Sequence, residues 1–161
     1  MKTIARRAGI FAFWVTYPAL MVYLSRTPRT RILLRSQGKI LAVQSWLGDG
    51  RWHLPGGGLH KGEAPLAGVL RETREETGIE LPANSVRLWF TEDYRHRGVH
   101  FPCHYFIADL PELAALTPQP LEISEVAWLD PAELSAHNAS PDIITAFAHL
   151  STKNDRDNLL Q

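Results

Sequence analysis

Two short aliphatic runs, residues 30–35 (TRILLR) and 39–46 (KILAVQSW), flank Ser36-Gln37-Gly38, a pattern that predicts a β-hairpin. Between residues 64 and 77 the period changes. Leu66, Val69, Leu70 and Thr73 recur at helical spacing, Arg and Glu fill the opposite side, and Gly78 stands where a C-cap would end the helix. The prediction is a helix with one charged face. Residues 85–94 and 99–110 are rich in β-branched and aromatic side chains around an Arg-His-Arg-Gly turn, so a second hairpin follows. Residues 125–129 read as a further strand, Pro131 opens a helix through about Ala136, residues 142–150 form another, and 151–161 are a polar tail.

Length and composition bound this picture. A chain of 161 residues, 45% hydrophobic and 21% charged, suits one globular domain and excludes a disordered or polytopic membrane protein. The lone Cys103 excludes an internal disulfide framework and a multi-cysteine zinc site, and fits a reducing, cytoplasmic setting. The net charge of zero conceals a split: residues 1–48 hold eight Lys or Arg and no acid, leaving nine bases against 17 acids in 49–161. A basic segment followed by an acidic one suggests two different partners, with substrate phosphates and anionic lipid both open for the first.

Residues 8–25 are 18 consecutive uncharged positions with bases on both sides, just long enough to cross a bilayer as a helix, although Pro18 would kink it. Three readings stand side by side: a single span, an arm on the membrane surface, and a buried or oligomer-forming segment. If the segment spans, the bases that follow it favour placing the rest of the chain at the inner face of the membrane. The expected organisation is an N-terminal arm (1–28), one folded domain (29–150) and a tail (151–161).

The chemistry concentrates on the first helix. Glu72 and Glu76 lie four residues apart and share a face, with Glu75 beside them. Like charges at this spacing repel, so helix stability does not recommend them. They make sense around a hard cation, because Mg²⁺ takes oxygen ligands and commonly uses one or two carboxylates plus substrate phosphates. Arg71, four residues before Glu75, is placed to pair with it and orient the cluster. The Pro55-Gly56-Gly57-Gly58 loop leads into this helix and would offer backbone carbonyl or N–H groups to a metal or a phosphate. A REXXEE string alone is more often a solvated helix face.

Here the string has company. Gly57, then Glu63, then Arg71-Glu72, Glu75-Glu76, Gly78 and Ile79 at their spacings resemble the complete signature of the Nudix (MutT-like) hydrolases. Only Thr73 departs, where the family generally has an aliphatic residue. Weaker likenesses are Trp52-x-Leu54-Pro55-Gly56-Gly57 and Glu122-x-x-Glu125-x-x-Trp128. The resemblance implies an α/β/α sandwich with a mixed central sheet and the box as loop, helix, loop. It also implies Mg²⁺ or Mn²⁺ at Glu72, Glu75, Glu76 and the Gly57 carbonyl, Arg71 orienting the glutamates, and Glu63 bracing the loop. The expected reaction is hydrolysis of a phosphoanhydride in a nucleoside diphosphate linked to another group, with no nucleic-acid partner. The rivals are a nucleotide-binding regulatory domain without turnover and a Nudix-fold isomerase.

Glu72 is the first candidate for general base and Glu122, outside the box, the second. His96, His100 and His104 recur every fourth residue, but the segment reads as strand, where His100 and His104 share a face with Phe106 and reach either substrate or solvent. Cys103 points the other way and is expected to pack. Tyr94 lies where relatives that cleave dinucleoside polyphosphates tend to carry a tyrosine; core packing is the competing role.

Overall fold

The computed structural model describes residues 27–46, 49–96, 99–118 and 122–159. The apolar arm 8–25 and the side chains of Tyr94 and His96 lie outside the described residues. No helix among the described residues is long and apolar enough to cross a membrane.

The first hairpin forms as its pattern requires, with β1 (Arg29–Ser36) and β2 (Lys39–Ser45) joined through Gln37 and Gly38, both at positive φ. The helix follows as α1 (Pro65–Thr77), started by a proline in its first turn and stopped by Gly78 at φ 77°, whose N–H closes on the Arg74 carbonyl. β3 (Arg87–His96) and β4 (Val99–Asp109) make the second hairpin, β5 (Ile123–Leu129) the last strand, and α2 (Pro141–Leu159) the last helix.

Among the described residues these strands form one sheet in the order β3-β4-β1-β2-β5. It is mixed: β1 runs parallel to β4, and the other neighbours are antiparallel. Alternation along each strand feeds two cores. Ile32, Leu34, Leu41, Phe106 and Ala108 pack with Val69 of α1, while Leu33, Ile40, Tyr105 and Ile107 on the opposite face pack with Ile143 and Ala146 of α2. The outcome is an α/β/α sandwich.

Two expectations need correction. The helix predicted from Pro131 is a 3-10 turn, Pro131–Glu133, because side chains compete for its backbone: Asp130 accepts from the Ala132 N–H and Asn138 donates to the Glu133 carbonyl. The last helix does not stop at residue 150 but runs on through Leu159, since polar residues alone do not break a helix and no Gly or Pro intervenes.

The hairpin also splays. β1 and β2 pair at Arg35 with Ile40 and at Ser36 with Lys39, beside the turn. Farther along, residues 52–58 wedge between them: His53 pairs with Val43 of β2, while the Pro55 and Gly57 carbonyls accept the Ile32 and Thr30 N–H groups of β1, each at 2.9 Å. The glycine loop is thus a piece of sheet rather than a free loop.

Candidate active site

The wedge explains two glycines. At Gly56, φ is +135° and an added Cβ would lie 2.2 Å from the Thr30 carbonyl oxygen, so backbone conformation and space both demand glycine. At Gly57 a Cβ would stand 2.6 Å from Cδ and Oε1 of Glu72. The Glu72 carboxylate therefore packs directly on the Gly57 backbone.

α1 reaches the loop because its buried stripe, Gly68, Val69, Thr73 and Thr77, sits down on the sheet. Thr73, the departure from the aliphatic pattern, is fully buried and returns its hydroxyl to the Val69 carbonyl at 2.7 Å, so its polar atom is satisfied while its methyl packs. The opposite side of the helix then faces the loop with its charges. Arg71 holds four partners with one guanidinium. Nε and Nη2 donate to the two oxygens of Glu63 at 2.9 and 3.0 Å, Nη2 also to the Gly58 carbonyl at 3.1 Å, and Nη1 to Glu72 at 2.9 Å and Glu75 at 3.1 Å. A lysine could not span this set. Glu63 also accepts the His60 N–H at 2.8 Å. The Arg71 guanidinium, aided by that N–H, holds the Glu63 carboxyl at about 2, and Glu63 above all raises Arg71 in return. Glu63 braces the loop, as the sequence suggested.

Glu76 lies deepest. Its Oε2 accepts the Gly56 N–H at 2.8 Å. Burial pushes its carboxyl up to about 8; the Gly56 N–H and Arg31 oppose the rise, and the charges of Glu72 and Glu122 add to it. Glu122, exposed at the start of β5 and anchored through its carbonyl to the Trp46 N–H, therefore belongs to the electrostatic surroundings of the cluster. The Gly57 carbonyl already accepts from the Thr30 N–H, which leaves its second lone pair for a cation.

Three carboxylates do not meet at one point, because Arg71 Nη1 stands between Glu72 and Glu75 and the latter is 40% exposed. Among the described residues no three His, Cys, Asp or Glu side chains are grouped closely enough to hold a metal as they lie. The donor chemistry nevertheless fits a hard divalent cation. Glu72, Glu76 and the Gly57 carbonyl offer oxygen alone, and a half-buried carboxylate raised first by desolvation and then by its acidic neighbours is the environment a cation relieves.

Other predicted residues lie farther off. His104 and His100 share a face of β4; His104 Nδ1 pairs with the Thr91 hydroxyl at 3.0 Å, and His100 Nε2 lies 3.4 Å from Asp93 on the surface. Cys103 is buried on the α2 side, and burial pushes its thiol up to about 11.

Sequence reasoning missed Arg31 and Asp142. Arg31 occupies a position of β1 that shares a face with core residue Leu33, yet it is a base, and that anomaly was the available signal. Its Nε meets Asp142 Oδ2 at 2.8 Å, with side chains 14% and 5% exposed, and its Nη1 donates to the Gly56 carbonyl. Burial works against the charge on Arg31, but Asp142 first, then Cys103 and Glu76, more than offset it and raise Arg31 above its ordinary value.

Comparison with known proteins supplies the family. A family model describing the NUDIX domain matches residues 26–150. The chain is 32% identical over 114 residues to an RNA pyrophosphohydrolase of Zymomonas mobilis, covering 60% of this chain and 68% of that one. It is 40% identical over 55 residues, 34% of its length, to a MutT-like protein of Streptomyces ambofaciens, of which it spans about a third (35%). Among solved structures, a bifunctional NMN adenylyltransferase/ADP ribose pyrophosphatase of Francisella tularensis, complexed with AMP and a Mn ion, superposes with a TM-score of 0.70. That match has 21% identity and covers 89% of this chain and 47% of that one, so it speaks to the fold. With the matched region spanning most of the chain and an intact box at its centre, this protein belongs to the Nudix family.

Proposed function

We propose that the chain hydrolyses a phosphoanhydride bond in a nucleoside diphosphate linked to another moiety. The observation that carries this reading is the docking of Glu72 and Glu76 on the Gly56-Gly57 backbone, with Arg71 braced between Glu63 and the helix carboxylates. Glu72, Glu75, Glu76 and the Gly57 carbonyl would hold Mg²⁺, or Mn²⁺ in its place. When bound, such an ion neutralises the bridging phosphates and acidifies a water.

The chain's own residues do the rest. Arg71 fixes the direction of Glu72 and Glu75, and Glu63 fixes Arg71. Water oxygen bonds to one phosphorus, the bond from that phosphorus to the bridging oxygen breaks, and the leaving phosphate departs with the electron pair. The water proton passes to a carboxylate, for which Glu72 is the first candidate and Glu122 the second. The name of the RNA pyrophosphohydrolase relative supports the reaction class. Strands and loops outside the box choose the substrate.

The test is a screen of the purified chain with Mg²⁺ against nucleoside triphosphates, ADP-ribose, dinucleoside polyphosphates and nucleotide sugars, scoring released phosphate products. Turnover that disappears in Glu76→Gln, with the fold intact, is expected. Nucleotide binding without turnover would replace the proposal with a regulatory domain, and rearrangement without hydrolysis would replace it with an isomerase. A cytoplasmic site of action completes the proposal; pelleting of the full chain with anionic vesicles would add a membrane contact through residues 8–25, and failure to pellet would leave the packed or oligomer-forming readings of that segment.

A further inference from the structure

The glycine loop leaves one carbonyl over. Pro55 and Gly57 give their oxygens to the β1 amides, and among the described residues the Gly56 oxygen between them accepts from a side chain instead. Arg31 fills that place with a side chain: Nη1 donates to the Gly56 carbonyl while Nε is held by Asp142. Asp142 is itself fixed, its Oδ1 accepting from the Ser140 hydroxyl and, at 2.8 Å, from the Ile143 N–H, and His53 Nδ1 lies 3.9 Å from its Oδ2.

Stability does not call for this arrangement. A buried ion pair contributes little beyond well-packed apolar residues of the same volume, and Arg31 stands in a strand whose neighbours on that face are core. What it does accomplish is geometric. It sets the plane of the Gly56–Gly57 peptide, which lies between the Gly56 N–H that meets Glu76 and the Gly57 Cα on which Glu72 packs. Glycines on both sides would otherwise let this peptide rotate. The planar fork of Arg is required, because Asp142 and the Gly56 oxygen are reached from different guanidinium nitrogens and a single ammonium cannot stand in for both.

We propose that Arg31, anchored by Asp142, is a positioning residue for the candidate site, joining the α2 layer to the carboxylate helix through the Gly56–Gly57 peptide. This rests on the hydrolase reading for its effect on turnover, but its geometric core does not.

The test compares the native chain with Arg31→Lys and with Arg31→Met/Asp142→Asn, which removes both charges together and keeps an oxygen for Ser140 and Ile143. Four quantities are read: melting temperature, Mn²⁺ affinity by electron paramagnetic resonance without substrate, kcat and KM separately, and the ¹H–¹⁵N signal of Gly56 in the metal-free protein. In the double variant the melting temperature should stay near native, while Mn²⁺ affinity and kcat each fall about 10- to 100-fold and KM changes less than threefold. The Gly56 signal should shift as its bond to Glu76 is lost. Arg31→Lys should fall in the same direction by roughly tenfold. Mn²⁺ affinity and kcat within twofold of native in a folded variant, or an unmoved Gly56 signal, would overturn the proposal. If the double variant fails to fold, Arg31→Lys decides alone. A native chain that neither binds Mn²⁺ nor turns over any substrate defeats the hydrolase reading instead, and the Gly56 signal still judges Arg31.

Discussion

Gly57→Ala should separate activity from stability, and the reason is what the new methyl would meet. Its carbon would stand 2.6 Å from Cδ and Oε1 of Glu72 and 2.7 Å from Oε2. Ordinary contact needs roughly 3.5 Å, so the carboxylate must retreat by about 1 Å. It can do so by turning its own torsions, because the obstacle is the end of a flexible side chain and not backbone. Stability should therefore change by less than about 1 kcal/mol. Catalysis should not be so tolerant, since a 1 Å displacement of a reacting group costs on the order of 100-fold, equivalent to about 2.7 kcal/mol of barrier. The same displacement pulls Glu72 off Arg71, now 2.9 Å away. Gly56→Ala makes the control: its methyl would lie 2.2 Å from a backbone oxygen at a φ of +135°, so it should cost several kcal/mol of stability. The assay is thermal melting of both variants beside kcat and KM on the substrate that the screen identifies. A Gly57→Ala protein that keeps kcat within threefold of native, or that unfolds as readily as Gly56→Ala, would refute the reasoning.

Because Glu76 sits near 8 in the folded chain against an ordinary 4.5, the native state keeps a proton that the unfolded state has released between those values. Its contribution to metal-free stability is fully present below about 4.5 and drains away as pH rises toward 8, by a few kcal/mol in all; denaturant titrations should show this slope, and Glu76→Gln should flatten it. Mn²⁺ binding near neutral pH should likewise release close to one proton, measurable calorimetrically in buffers of different ionisation enthalpy. Glu63 works in the opposite direction: held at about 2, it contributes stability that is present above 4.5 and lost as pH falls toward 2, so Glu63→Gln should lessen acid sensitivity in that window, and an unchanged acid limb would count against the Arg71 brace. Arg71→Lys keeps the charge but not the fork and should lower turnover 10- to 100-fold, with melting shifted far less; equal losses in both would mark Arg71 as a packing residue.

What was legible in the sequence was what is local. Both hairpins, the charged helix and its Gly78 stop follow from periodicity and turn chemistry within a dozen residues, and the placement of Arg71 between Glu72 and Glu75 follows from helical spacing. The box made Glu63 a brace, and the structure supplies its partners. Long-range pairing was not legible. Nothing near Pro55 announces that its carbonyl meets Ile32, or that β1 and β2 part to admit it. Arg31 and Asp142 come together from opposite ends of the domain, and each alone reads as an ordinary charge, one in a strand and one in the first turn of a helix. The convergence of Glu72, Glu75 and Glu76 was overdrawn for a related reason: spacing puts them on a face, but the guanidinium that Arg71 inserts decides which of them turn inward.

The wedge gives the glycine loop a built-in gauge. Since the Thr30 and Ile32 amides donate into it rather than into a neighbouring strand, each time the loop lifts from the sheet those two protons become exchangeable. Deuterium uptake at Thr30 and Ile32, set against Leu33 and Leu34 deeper in the same strand, therefore times the opening of the site with no substrate or metal present.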